Sequence, residues 1–235
     1  MSGLIDSSSI SIRLEAAAQA VDEALRRSHR TGPVRILAVT KTMPVEVILD
    51  AMAAGISRFG ENRVSEGGRK VAAVGRDAAE FHLIGPLHRR EARQAVRDFD
   101  WIDSIDRPEI LTAVLERSGR GDRGPLLLLE VNTTPGEAKH GFDTDPGLIE
   151  TLLSSSGAGP AVRGLMTVGP LGGGEGASRR AFERLRILRD DLERRTGLRL
   201  PELSMGMSDD FGVAVEEGAT MVRLGRFLFG PRRPG

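Results

Sequence analysis

Short, unbroken apolar runs alternate with segments of helical period along almost the whole chain. Residues 7–30 carry Leu14, Ala17, Ala18, Val21 and Leu25 at helical spacing behind a serine cluster able to cap, and Gly32-Pro33 ends the pattern. This predicts a helix ahead of the first strand, lying on the outside or the bottom of the fold. Residues 34–42 follow. Ile36-Leu37-Ala38-Val39 is an apolar, β-branched run of the kind a strand buried on both faces requires. Pro44 then opens a helix through Ala54 and Gly55 closes it. The same alternation repeats, with strands expected at 57–59, 80–84, 101–104, 126–132, 162–167, 203–205 and 221–224 and a helical segment after each. The run 126–132 is the strongest strand. The clearest amphipathic helix follows the Gly-rich loop 169–176, with Ala181, Phe182, Leu185, Leu188 and Leu192 on one stripe.

Eight strand-then-helix units argue for a single (β/α)₈ TIM-type barrel with an extra N-terminal helix, one α/β domain over residues 1–235. Without the first helix about 200 residues remain, roughly 25 per unit, the compact end of that fold's range. A doubly wound open sheet is weaker, because no Gly-x-Gly-x-x-Gly turn follows the first strand.

Composition narrows the function. Lys and Arg number 33 and Asp and Glu number 33, so the formal net charge is zero and no field is built for nucleic acid or an anionic membrane. The absence of cysteine excludes disulfides, thiolate nucleophiles and cysteine-based metal sites. The first six residues lack a basic region followed by an apolar stretch, and no run approaches the ~18 apolar residues of a membrane span. A cytoplasmic protein is expected.

The candidate chemistry begins at Lys41, at the C-terminal end of the first strand. A lysine there either snorkels into water or is held partly dry, where desolvation lowers its pKa and leaves a nucleophilic amine, a Schiff-base lysine. In a barrel of this kind phosphate commonly sits by the loops after strands seven and eight. Gly206-Met207-Ser208-Asp209-Asp210 follows strand seven. Ser208 can cap the next helix or give its hydroxyl to a phosphate. Arg223-Leu224-Gly225-Arg226 ends strand eight, and Gly225 lets the backbone approach an anion. An amine and a phosphate site across one barrel mouth suggest pyridoxal 5′-phosphate (PLP), whose aldehyde needs the one and whose phosphate needs the other. Arg223 then suits the pyridine nitrogen as a permanently protonated donor, with a salt bridge at the barrel rim as an equal alternative.

The motifs Ala38-Val39-Thr40-Lys41-Thr42, Phe59-Gly60-Glu61-Asn62, His82-Leu83-Ile84-Gly85-Pro86-Leu87, Gly164-Leu165-Met166, Gly206-Met207-Ser208-Asp209-Asp210 and Met221-Val222-Arg223-Leu224-Gly225 stand in one chain. Together they resemble those of the pyridoxal phosphate homeostasis proteins (YggS/PROSC type), a family similar to the N-terminal barrel of alanine racemase. The resemblance implies a PLP Schiff base on Lys41, phosphate held by Ser208 and the backbone of Gly225 and Arg226, Arg223 at the pyridine nitrogen, and Asn62 and Met166 lining the pocket. It also implies a carrier or regulator of PLP (vitamin B6) and amino-acid balance without established catalysis. Expected partners are PLP and apo forms of PLP enzymes as recipients, with no metal and a monomeric chain. Two departures stand out. His88-Arg89-Arg90-Glu91 replaces the family's Gln and Asn-Lys residues after Gly85-Pro86-Leu87, and Arg226 replaces a small hydroxyl residue.

A PLP enzyme such as an amino-acid racemase is the first rival reading, and a Schiff-base aldolase the second. Racemase chemistry is disfavoured because the chain has no tyrosine and only residues 231–235 follow Gly230. His82 and His140 are the candidates for a substitute base. The four histidines show no i, i+4 pair, so their expected roles are structural or solvent-facing. Lys139-His140-Gly141 after strand five is expected as a mouth loop, and the charged helix over 179–195 as a solvated outer face.

Overall fold

A computed structural model describes residues 6–118, 124–134, 140–158, 161–170 and 172–231. Its eight strands are β1 (Arg35–Val39), β2 (Arg58–Glu61), β3 (Glu80–Leu83), β4 (Trp101–Ile105), β5 (Leu126–Glu130), β6 (Val162–Met166), β7 (Glu202–Ser204) and β8 (Met221–Leu224). All neighbouring pairs are parallel, and β1 pairs with both β2 and β8 to close the barrel in the order β1 to β8. The expected fold class is the observed one.

The helices are α1 (Ser7–Arg27), α2 (Val45–Ala53), α3 (Val64–Val74), α4 (Ala92–Asp98), α5 (Pro108–Ser118), α6 (Pro146–Ser156), α7 (Gly174–Thr196), α8 (Phe211–Glu216) and α9 (Arg226–Phe229). Asp6 caps α1 by accepting the Ser9 N–H at 2.8 Å, and its buried stripe is Ile10, Ala17, Val21 and Ala24. That stripe packs against α2, α8 and α9, so the extra helix lies on the outside of the barrel. No helix among the described residues is long and apolar enough to cross a membrane.

The boundaries differ most where pairing overrides local pattern. β2 runs on through Gly60 and Glu61, beyond the strand expected at 57–59, because those residues pair with His82 and Leu83. The expected helix after Gly85-Pro86 is split into a 3₁₀ turn over Arg89–Glu91 and the short α4.

Strand alternation sorts the side chains into two environments. Ala38, Phe59, Phe81, Ile102 and Leu129 join the apolar core beneath the helices. His82, Asp103, Ser204 and Arg223, all buried, belong to the other face, inside the barrel. There Trp101, Leu128 and Met166 form a separate small apolar cluster. The interior is therefore apolar in part and charged in part, and the charged part leads toward the C-terminal mouth.

Candidate functional site

A cavity of about 580 Å³ opens at the C-terminal ends of the strands, and Lys41, Ser208, Arg223, Gly225 and Arg226 all line it. Lys41 stands two residues beyond the end of β1 and is half-buried. Its Nζ donates to Asn62 Oδ1 at 3.3 Å, which ties Asn62 to the group although Asn62 does not line the cavity. Gly85 makes this placement of Asn62 possible: a Cβ at residue 85 would lie 2.1 Å from the Asn62 carbonyl oxygen. Met166 lies deeper, packed with Trp101 and Leu128, and is not part of the cavity wall.

Arg223 is held rather than mobile. Its Nη1 donates to the Ser204 carbonyl at 2.8 Å and to Ser204 Oγ at 2.9 Å, and its Nη2 donates to the Thr167 carbonyl at 2.7 Å. Burial works against its charge, opposed by Asp103, Glu130 and Asp210. A rim salt bridge, the alternative suggested by the sequence, is not its environment, since the guanidinium is buried and donates to two carbonyls and a hydroxyl.

Ser208 does not cap α8. Asp210 Oδ1 accepts the Met207 N–H at 2.7 Å to fix the turn, while Ser208 Oγ accepts the Phe227 N–H at 3.1 Å from α9. The hydroxyl oxygen thus links the loops after β7 and β8, and its hydrogen remains to serve an acceptor in the cavity. Arg226 is exposed, and its guanidinium forms an ion pair with Asp209, also exposed. The departure at residue 226 therefore supplies a cation at the cavity edge, partnered from the neighbouring loop.

Sequence reasoning missed an acidic pair on the other side of the mouth. Glu130, at the end of β5, is pushed up to about 7, first by burial and then by the nearby charge of Asp106, with Arg223 and His140 pulling the other way. Asp106 is buried beside Arg107, and among the described residues its Oδ1 has no hydrogen-bond partner. His140 Nδ1 approaches Asp106 Oδ2 at 3.6 Å from an exposed position. Lys139 lies outside the described residues. The signal for Glu130 was present as a carboxylate closing the most apolar run of the chain.

His82 is wholly buried inside the barrel. Its Nδ1 lies 3.0 Å from Asp103 and its Nε2 3.1 Å from Glu80. Burial opposes its charge, but the charge and hydrogen bond of Asp103, with Glu80, outweigh burial and raise it to about 9. The imidazole is built into the interior by these two carboxylates, a structural role of the kind expected for the histidines. The His88–Glu91 stretch is a surface turn, exposed at His88, Arg89 and Arg90.

This arrangement has close relatives. Residues 12–233 match the alanine racemase N-terminal domain family, and the chain belongs to it. Within it, the chain is a member of the pyridoxal phosphate homeostasis proteins. It is 36% identical over 224 residues to the protein of that name from Aquifex aeolicus, covering 94% of this chain and 97% of that protein. It is 33% identical over 220 residues to the one from Escherichia coli, covering 89% and 90%. Among solved structures, PipY of Synechococcus elongatus with PLP bound matches with a TM-score of 0.79 and 36% identity, covering 94% of this chain and all of that one. Alanine racemase from Corynebacterium glutamicum matches with a TM-score of 0.72 but 18% identity, and this chain covers 62% of it, a likeness of fold alone.

Proposed function

We propose that this protein binds PLP in the cavity at the C-terminal barrel mouth and acts as a carrier or regulator in vitamin B6 and amino-acid balance. The observation that carries this reading is the convergence of Lys41, Arg223, Ser208, Gly225 and Arg226 on one cavity from the ends of β1, β7 and β8. The donor set fits the cofactor: one amine, one fixed guanidinium, and a hydroxyl, a backbone and a cation for an anion. The relative solved with PLP bound adds independent support.

When bound, PLP supplies an aldehyde that condenses with an amine with loss of water, and an electron-withdrawing ring. Lys41 provides that amine and is oriented by Asn62. Ser208, the backbone at Gly225 and Arg226, and the Arg226 charge would hold the phosphate. Arg223, held by Ser204 and Thr167, would present a permanent donor to the ring nitrogen, an arrangement that disfavours protonation there.

The side chains available as a second base support a non-catalytic role. The chain contains no tyrosine, and both ring nitrogens of His82 are committed to carboxylates. The absence of cysteine suits a cytoplasmic setting, where apo forms of PLP enzymes are the natural recipients and a single copy of the chain holds the whole site. The test is a visible spectrum of the purified protein, borohydride trapping with peptide mapping, and transfer to an apo-enzyme. The expected result is one pyridoxyl group on Lys41 and activation of the recipient. A colourless protein that takes up no added PLP would remove this reading.

A further inference from the structure

Next to Lys41, the end of β1 is tied to α3 by a buried ionic group whose members do not line the cavity. Lys70, only 4% exposed, donates from Nζ to the Thr40 carbonyl at 2.8 Å, to both Glu61 carboxylate oxygens at 2.9 Å, and to Glu66 Oε1 at 2.7 Å. Glu66 Oε1 also accepts the Thr42 N–H at 2.6 Å. Thr40 Oγ1 completes the group by donating to Glu61 Oε1 at 2.6 Å.

These contacts fall on particular atoms. The Thr40 carbonyl belongs to the peptide unit that precedes the Lys41 Cα, and the Thr42 N–H belongs to the unit that follows it. Two residues one turn apart on α3, themselves an ion pair, therefore grip both peptide planes of Lys41. Thr42 sits at φ +66°, a left-handed conformation that a β-branched residue adopts only when its surroundings enforce it. A stability role alone does not account for the arrangement, because an ion pair buried under a helix is no more stabilising than well-packed apolar side chains. Fixing a backbone direction is what its geometry achieves.

We propose that Lys70 and Glu66 are positioning residues that lock the backbone on either side of Lys41 and thereby aim its amine into the cavity. The proposal rests on the reading of Lys41 as the attachment lysine. Glu61 balances the charge of Lys70 from β2, and neither Lys70 nor Glu66 lines the cavity. Burial works to raise the Glu66 carboxyl, and the hydrogen bonds from Lys70 and Thr42 outweigh it, so Glu66 is held below its ordinary value and stays an acceptor throughout the neutral range.

Glu66 is the residue to change, because its loss leaves the Lys70–Glu61 pair intact. Three variants separate the effects. Glu66→Ala removes the acceptor. Glu66→Asp keeps the charge near Lys70 but withdraws the oxygen from Thr42. Glu66→Gln keeps an oxygen in place without the charge. Each is measured for hydrogen exchange at the Thr42 amide in the PLP-free protein, for PLP retention, and for visible circular dichroism per bound cofactor, with borohydride mapping of the parent alongside. The Ala and Asp variants are expected to exchange the Thr42 amide faster, to lose PLP about tenfold faster, the factor one charge-assisted hydrogen bond is worth, and to show weakened dichroism, while Gln recovers most of all three. If Ala and Asp retain PLP and its dichroism like the parent, the positioning role is overturned. It is equally overturned if Ala unfolds while Asp behaves like the parent. A pyridoxyl label on a lysine other than Lys41 in the parent overturns the attachment itself, and the positioning role with it.

Discussion

Asp103 faces His82 across the barrel interior at 3.0 Å, both side chains wholly shielded from water. The imidazole stacks on Trp101 with ring centroids 5.2 Å apart and planes 7° from parallel, and Arg35 covers Trp101 at 5.6 Å. Asp103 also opposes the loss of charge on Arg223. One carboxylate thus serves two buried basic groups, the imidazole that also meets Glu80 at the start of β3 and the guanidinium beside the cavity.

A pH dependence follows. His82 is raised from 6.5 to about 9 in the folded protein, so its contribution to stability is complete below pH 6.5 and is lost as the pH rises through about 9. Glu80, its second partner, has burial working to raise it, but His82 and Arg58 hold it at about 2, so its contribution is present above pH 4.5 and is lost as the pH falls toward 2. Urea unfolding at pH 6, 8 and 9.5 should show stability declining over that range. In Asp103→Asn the decline should be much shallower, at an overall loss of about 3–5 kcal/mol for breaking a buried pair. A parent curve flat from pH 6 to 9.5 would show that His82 is neutral.

Glu130 predicts the opposite kind of substitution effect. Its folded value of about 7, raised from 4.5 first by burial, means the carboxyl keeps its proton where the unfolded chain has released it. Stability is therefore lost as the pH rises from 4.5 to about 7. Glu130→Gln should match the parent near pH 4.5 and exceed it at pH 8, by on the order of 3 kcal/mol. Equal stability at pH 8 would mean that Glu130 ionises at its ordinary value.

The barrel and the cavity-lining residues were legible for one reason. Apolar runs mark buried strands, and a lysine, a serine turn and an arginine-glycine step at strand ends must then share the C-terminal mouth. What was illegible depended on partners distant in sequence. Lys70 and Glu66 stand i, i+4 on α3, and that spacing does not show that Glu61 and Thr40 are brought against them by the pairing of β2. Asp103 did leave a signal, a charge inside the strand Trp101-Ile102-Asp103-Ser104, but not the identity of its partners. The direction of Arg226 depended on Asp209, which lies in a separate loop.

That ion pair can be tested. Arg226 and Asp209 are both exposed, so the pair is weak and screened by salt. Releasing Arg226 by Asp209→Asn should tighten PLP retention by roughly two- to fivefold at low salt, an effect that fades at high salt. Arg226→Ala should weaken retention by a similar factor. Measured dissociation rates unchanged in both variants would place the phosphate away from Arg226. Ser208→Ala should be more severe and less salt-sensitive, a loss of about 1.5–3 kcal/mol, because it removes a charge-assisted bond.

The last prediction concerns catalysis. Racemisation on PLP needs a base on each face of the substrate Cα, each able to exchange a proton near neutral pH. Lys41 can supply one. The chain has no tyrosine for the other. His82 is closed off from the cavity, with both ring nitrogens committed and its pKa raised to about 9 by Asp103 and Glu80 against the effect of burial, so at neutral pH it holds its proton. His140 is exposed and lies 3.6 Å from Asp106. It is therefore open to a substrate. If Arg223 meets the ring nitrogen as proposed, it adds a further obstacle, because a permanent donor would leave that nitrogen unprotonated and less able to accept charge. Incubation with L-alanine in deuterium oxide should therefore give no enzyme-like deuterium incorporation at Cα and no D-alanine, in the parent and in His140→Ala alike. Rapid incorporation abolished by Lys41→Ala would show a true racemase. If His140→Ala abolished it as well, the second base would be identified and the carrier reading would have to be given up.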